Sequence, residues 1–374
     1  MKILIDCSNL KVGGGIQVAL SFLYDLVEIS RKEEYIVVLS PEMEKLISLE
    51  SFGENFSFIK VNKNMYKNYI TRRKAVKNIE AQACPDVIFS IFGPSYHKSD
   101  VPKIVGFAIP HYIYTDSPYF NILSVKEKIL SIVRRKIKGR FFVKNSDILI
   151  FETEDARSLF CRKFSFNNEA TFVVSNKLNR IFHDSSLWSE KKFDFNTSIK
   201  FLCLGANYKH KNLQIIPKVI DKLKEHGLTN FKFIVSLTKE QIYFGSNYDS
   251  FIEYIGKIDL EDLPNLYRSI DILFMPTLLE TFSATYLEAM YMKVPITTSD
   301  LDFARYICQD GAVYFDPLNP SDIVRKLLSL IDNDALRNSI IEKAKINLKR
   351  FGTSKDRTNR YLDIILKTVK SNQS

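Results

Sequence analysis

No apolar run in this chain approaches the roughly 18 to 20 residues that a membrane-spanning helix needs, so no span is read into it. No signal peptide precedes the first strand pattern, which starts at Lys2, and the expected location is the cytoplasm. Cysteine is scarce. Cys7, Cys84, Cys161, Cys203 and Cys308 stand singly, without metal-ligand spacing and partly in apolar surroundings, and are read as reduced and structural. No Asp-x-Asp stands where it would suggest a divalent-ion site, and neither a metal nor a cofactor is expected. The first strand is not followed by G-x-G-x-x-G with an acidic residue about 20 positions on, which sets aside a redox dinucleotide enzyme. No nucleic-acid module is recognisable, so nucleic acid is not an expected partner.

What is present is enough for two domains. A length of 374 residues with 45% hydrophobic content supports two buried cores. The net charge of +10 is concentrated: residues 60–145 hold seventeen Lys and Arg against five Asp and Glu. Within that region the stretch from Tyr66 to Lys74 interleaves aromatics with Arg72, Arg73 and Lys74. The stretch from Val125 to Lys138 reads as a helix with Val125, Ile129, Ile132, Val133 and Lys136 on one stripe, and with Arg134, Arg135 and Lys138 beside it. Such a basic amphipathic helix suits an anionic membrane surface, on the inner face of the cell membrane, or an acceptor. The competing reading packs the apolar stripe on the domain core and leaves the cations solvated.

Strand and helix patterns alternate through both halves. Strands are expected at Met1–Asp6, Tyr35–Leu39, Phe56–Val61, Asp86–Ser90, Lys103–Ala108 and Asp147–Phe151. Gly13, Gly14 and Gly15 form a turn ahead of a helix over Ile16–Ile29. The alternation restarts at Lys200–Leu204, with further strands at Phe231–Val235, Phe251–Tyr254, Ile270–Met275 and Ile296–Thr298. The final patterns, Ser329–Leu348 and Thr353–Val369, are helical. This is an α/β chain with parallel sheets. The expected division is a first Rossmann-like domain over 1–185, a polar linker over 186–198, a second domain over 199–350 and a C-terminal helical segment over 351–374.

The most telling stretch is Pro276–Pro295, PTLLETFSATYLEAMYMKVP. A strand ends at Pro276 and helix formers run from Ser283 to Met290. Glu280 precedes that helix and Glu288 lies about two turns farther on. The amides of Thr281, Phe282 and Ser283 then sit at a helix start, where donors lack internal acceptors and the dipole favours a diphosphate. A carboxylate at Glu288 would accept hydrogen bonds from ribose hydroxyls, as the acidic residue of dinucleotide folds does.

Together with Glu288-Ala-Met290, Pro295 and Thr298-Ser-Asp300, this pattern resembles glycosyltransferase family 4, retaining enzymes of the GT-B fold with an E-x7-E motif. The resemblance runs through nearly the whole chain and implies two doubly wound domains facing a central cleft, with the last helix crossing back to the first domain. The segment from Ala170 to Phe182 resembles the last strand of the family's first domain and the turn after it. The resemblance implies a retaining transfer of a sugar from a UDP- or GDP-linked donor to a glycan or lipid-linked acceptor hydroxyl, in synthesis of a bacterial-type surface polysaccharide such as O-antigen or capsule. By the same resemblance Glu280 positions the donor sugar, Lys211 neutralises the leaving diphosphate, and His111 reaches the sugar from the first domain. Gly14 and Gly15 face the diphosphate, while Gly256 and Lys257 belong to the loop that holds the base. Two departures stand out. Lys177 replaces a usual glycine, and Ala206 a usual arginine, whose charge Lys209 or His210 would supply. An epimerase of the same fold, or a non-catalytic scaffold, remains as the alternative.

Overall fold

The computed structural model describes residues 1–11, 13–29, 32–62, 64 and 68–373. The chain divides into two compact units. One comprises Met1–Thr115, Leu123–Lys177 and Thr353–Ser374; the other comprises Asp116–Ile122 and Leu178–Gly352.

In the first unit the elements run β1 (Lys2–Asp6), α1 (Gly14–Ile29), β2 (Glu34–Leu39), α2 (Pro41–Glu44), β3 (Phe56–Lys60), α3 (Tyr69–Ala83), β4 (Val87–Ser90), β5 (Lys103–Phe107), α4 (Val125–Asn145), β6 (Ile148–Phe151), α5 (Glu154–Phe164) and β7 (Thr171–Val173). The seven strands form one parallel sheet in the order β3-β2-β1-β4-β5-β6-β7. Burial of β1, β4 and β5 on both faces is what their short, unbroken apolar runs call for. On α1, Ile16, Ala19, Leu23 and Leu26 recur at helical spacing and face the sheet, and Phe22 meets Phe89 edge-on. The expected glycine turn is narrower than three residues. Only Gly13 has a left-handed backbone, φ +70°, whereas Gly14 and Gly15 already belong to α1.

The second unit runs β8 (Ile199–Cys203), α6 (Ile216–Glu225), β9 (Phe231–Val235), β10 (Ile252–Tyr254), α7 (Leu263–Arg268), β11 (Ile272–Met275), α8 (Ala284–Tyr291), β12 (Ile296–Ser299), α9 (Asp302–Cys308), β13 (Val313–Phe315), α10 (Pro320–Ile331) and α11 (Asp334–Leu348). Its parallel sheet has the order β10-β9-β8-β11-β12-β13. β13 escaped the sequence reading because three residues give too little periodicity. The helix expected over Ser329–Leu348 is two helices. Asn333 breaks it, accepting the amide of Leu336 as the cap of α11. The Arg337 guanidinium then donates to the last carbonyls of α10, at Leu330 and Ile331, both 2.7 Å away.

The chain closes with α12 (Ser354–Gln373), which packs on α1 inside the first unit. Tyr361, Leu362 and Ile365 join that core. A buried polar network holds the helix in register. Thr358 Oγ1 and Ser354 Oγ donate to Asp25 at 2.8 and 3.1 Å, and buried Arg357 donates to Asn176 Oδ1 at 2.6 Å.

Candidate active site

In a parallel α/β unit the loops that follow the strands all emerge at one edge of the sheet. In the second unit three such loops carry the expected donor-site residues.

The loop after β11 runs from Pro276 to Ser283 and is tied down at its middle. Leu278 N donates to the His210 carbonyl at 2.7 Å, and Ser117 Oγ donates to the Leu278 carbonyl at 2.6 Å. Leu278 and Leu279 are buried, as are Thr281, Phe282 and Ser283. Glu280 is thus held between two anchored segments. The helix α8 starts at Ala284, so Thr281 to Ser283 are the three residues ahead of it, with Ser283 as its cap residue. The Phe282 ring is committed to the core against Phe351, and what this segment presents toward a ligand is backbone amide. Glu288 lies little more than one turn into α8, nearer its start than expected, because the helix begins one residue later than the sequence pattern suggests.

The loop after β8 carries the cations. Lys209, His210 and Lys211 form one 3-10 turn, closed by Asn212 in the left-handed conformation at φ +55°. Asn212 Nδ2 donates to the Pro317 carbonyl at 2.8 Å and fixes the turn. Gly205 has φ +148°, and a Cβ there would lie 3.4 Å from Lys211 Cε, so glycine lets the lysine stem cross the loop. Lys211 Nζ forms an ion pair with Glu280 Oε1. Both side chains are about 15% exposed, which makes this a shielded pair rather than a surface one.

Glu288 is partnered differently. Tyr267, fully buried on α7, donates its hydroxyl to Glu288 Oε2 at 2.9 Å. Burial pushes the Glu288 pKa up to about 7, while the Tyr267 hydrogen bond pulls it down. Burial, and then the charge of Glu288, push the Tyr267 phenol well above its ordinary value. Tyr267 was not singled out from the sequence, where a tyrosine in a short apolar helix carries no signal. Thr298 takes a supporting place: its hydroxyl bonds Tyr286 of α8 at 2.7 Å and the Met275 carbonyl at 3.1 Å, binding helix to strand end.

Gly256 and Lys257 follow β10 at the same sheet edge. Gly256 has φ +69° and donates to the Leu237 carbonyl at 3.3 Å. Lys257 is 85% exposed, 4.0 Å from Asp259. The structure brings Lys211 and Glu280 into contact and sets Glu288 on the adjoining helix.

The remaining expected residues belong to the first unit. His111 lies in a 3-10 turn after β5, where burial lowers its pKa and favours the neutral ring. Gly14 and Gly15 open α1, and a Cβ on Gly14 would meet open space. Of the basic stretch, Tyr66 and Lys67 lie outside the described residues; Arg73 and Lys74 are exposed on α3. On α4 the apolar stripe faces solvent. Val125, Ile129, Val133 and Ile137 are 73%, 58%, 45% and 53% exposed, while the inward side is Gly139, Phe142 and Asn145. The reading that packs this stripe on the domain core is therefore overturned. The helix approaches α5 through Gly139, where a Cβ would lie 2.2 Å from the Phe164 ring. Among the described residues no helix is long and apolar enough to cross a membrane, and no group of three or more His, Cys, Asp or Glu is placed to hold a metal ion.

Residues 184–347 match the family model of glycosyl transferases group 1. The chain is 25% identical over 243 residues to an uncharacterized glycosyltransferase of Methanocaldococcus jannaschii, MJ1178, the match covering 63% of this chain and 65% of that one. It is 27% identical over 103 residues to the O-antigen chain mannosyltransferase B of Escherichia coli, covering 28% of this chain and 27% of the relative. The chain thus spans less than two thirds of the length of these relatives. Among solved structures, the HepE protein of Anabaena in complex with UDP-glucose superposes with a TM-score of 0.71 over 98% of this chain and 100% of that one, at 12% identity. The likeness to solved structures shows the GT-B fold. The segment that matches the family model holds Lys209, Lys211, Gly256, Lys257, Glu280, Thr281, Phe282, Ser283 and Glu288, and leaves Gly14, Gly15 and His111 outside it.

Proposed function

We propose that the chain is a retaining glycosyltransferase of family 4, with Glu280 and Glu288 as its E-x7-E pair, that moves a hexosyl unit from a UDP- or GDP-linked sugar to a hydroxyl of a glycan or lipid-linked glycan. The observation that carries this reading is the Lys211–Glu280 ion pair beside the half-buried Glu288 on α8. Breaking the anomeric bond develops negative charge on a nucleoside diphosphate, and fixed donors aimed at that charge supply the largest share of catalysis. In this reading Lys211 and the amides of Thr281, Phe282 and Ser283 receive the diphosphate. Lys209 adds charge at the same turn, offsetting the arginine replaced by Ala206. Glu280, released from Lys211 as the phosphate arrives, accepts hydroxyl hydrogen bonds from the donor sugar and stabilises positive charge at the anomeric carbon. Glu288 receives the ribose hydroxyls. The backbone around Gly256 and Lys257 holds the base.

Retention is read as a front-face displacement: the acceptor hydroxyl oxygen bonds the anomeric carbon as the bond to the diphosphate oxygen breaks, and that departing oxygen takes the hydroxyl proton. No protein nucleophile is assigned. Metal-independent turnover belongs to the proposal and is checked by activity in the presence of a chelator. A role in surface polysaccharide synthesis draws support from the O-antigen relative, and attachment to the inner face of the cell membrane draws support from the exposed apolar and basic face of α4.

The test is calorimetry with UDP and GDP, then their sugar derivatives, on the wild type and Glu288→Ala. Binding of one nucleotide that is lost in the variant is the expected result. Absence of binding to the folded wild type would turn the reading toward a scaffold. Turnover of the bound sugar nucleotide without any acceptor, to a product differing at one sugar carbon, would instead favour an epimerase.

A further inference from the structure

We propose that Arg72, Arg134 and Lys138 form a phosphate-binding site in the first unit that takes a phosphate group carried by the acceptor. Assignment of the ligand as the acceptor rests on the transfer reading; the oxyanion site rests on the first unit alone.

Four separate segments build this site. From α3, the Arg72 guanidinium lies 5.2 Å from the Tyr96 ring centre and donates through Nη1 to Asn9 Oδ1 at 3.1 Å and to the Tyr96 hydroxyl at 3.4 Å. Asn9, in the loop after β1, is itself fixed by donating Nδ2 to the Pro94 carbonyl at 3.1 Å. The Tyr96 ring meets Phe141 of α4 edge-on at 5.7 Å. Arg134 and Lys138, one turn apart on α4, lie on the same flank as Phe141. Lys138, whose side chain stays exposed, is held below its ordinary pKa by partial desolvation and then by the charges of Arg134, Arg72 and Lys11. The phenol of Tyr112 is pushed up to about 12, chiefly by burial and by Tyr96, with Arg134 acting in the opposite sense.

Like charges on one flank oppose one another, weakly where solvent reaches them, and a bound anion removes that opposition. Among the described residues, Lys11, Arg134 and Lys138 enter no ion pair, so the folded first unit supplies them with no carboxylate. Guanidinium forks match phosphate oxygens, and Tyr96 and Tyr112 add hydroxyl donors. The ligand also has an apolar side to account for. A quarter-turn around α4 from Arg134 and Lys138 stands the exposed row of Ile129, Val133 and Ile137. A phosphate presented by an amphiphile meets both features at once. A lipid headgroup and a free phosphorylated acceptor share this chemistry, and the experiment separates them.

The full-length protein is sedimented with vesicles of phosphatidylcholine alone, with phosphatidic acid at about a tenth of the lipid, and with phosphatidylglycerol at matched surface charge. In parallel, octyl phosphate below its micellar concentration is titrated by calorimetry. The phosphomonoester surface is expected to bind about fivefold better than the matched diester surface, because the site reads a dianion rather than diffuse charge. Arg72→Gln/Lys138→Gln should abolish that preference, whereas Arg73→Gln/Lys74→Gln should weaken both anionic surfaces alike. Octyl phosphate binding that depends on Arg72 and Lys138 without vesicle discrimination assigns the site to a free phosphorylated acceptor. If Arg72→Gln/Lys138→Gln, folded by circular dichroism, changes neither readout, the site is wrong. UDP and GDP titrations on the same variant stay unchanged, so failure of the donor reading shows up separately.

Discussion

In the second unit the charged groups at the sheet edge are matched: Lys211 meets Glu280, and Glu288 accepts from Tyr267. In the first unit Arg134 and Lys138 enter no ion pair among the described residues and gather near Arg72, on a helix that turns Val125, Ile129, Val133 and Ile137 to solvent. The two candidate sites, on units with the same alternation of strand and helix, have thus settled their electrostatics differently. A paired lysine and glutamate bind a ligand by exchanging partners. A like-charged site binds by taking up an opposite charge.

The sharpest way to break this comparison is Glu280→Gln. Turnover should fall by about a hundredfold or more with the fold intact, since the substitution removes charge where the proposed function puts the donor sugar. Equal kcat in variant and wild type, measured at saturating donor, would mean that the ion pair is structural.

Second in size is Val133→Asp/Ile137→Asp on the outer face of α4. Vesicle binding should drop about tenfold, because two apolar side chains leave the interface and two negative charges enter it, while nucleotide affinity stays level. Loss of nucleotide affinity instead would show that the two units do not divide the work.

Next comes pH. With the Glu288 pKa near 7, the ionised fraction falls about tenfold between pH 8 and pH 6, and nucleotide affinity should fall with it. Glu288→Gln should flatten that profile. Stability runs the other way: a carboxyl whose pKa is raised on folding favours the native state at low pH, and that contribution is lost as pH rises from about 4.5 through 7. Glu288→Gln should therefore be the more stable protein at pH 8, by ~1 to 3 kcal/mol in urea unfolding, while binding nucleotide less well. The smallest expected effect is confined to the first unit. Gly139→Ala forces a Cβ against the Phe164 ring and should lower that unit's stability by ~1 to 3 kcal/mol without touching nucleotide binding.

The sheet strands were legible because parallel strands buried on both faces read as short apolar runs, and twelve of the thirteen strands described fall where such a run or the β7 segment was expected. Glu280, Lys211 and Glu288 were legible because a strand end, a polar loop and a helix start succeed one another within few residues. Tyr267 and Ser117 were not. Each reaches the site from a segment distant in sequence, and neither residue type is unusual where it stands. The outward turn of the α4 stripe was also illegible, since periodicity shows that a helix has an apolar side and says nothing of what that side meets. Gly14 and Gly15 were legible as a glycine run but not as helix, because only the backbone angle of Gly13 distinguishes the turn from the first residues of α1.

The place of α12 bears on the order of assembly. The first unit takes in Met1–Thr115 and Leu123–Lys177 but needs Tyr361, Leu362 and Ile365 to cover α1, whereas the second is complete once Gly352 has been made. On a ribosome the unit begun first is finished last, and until α12 emerges the nascent chain carries a bare apolar groove along α1 that a chaperone, or a neighbouring nascent chain, is free to occupy.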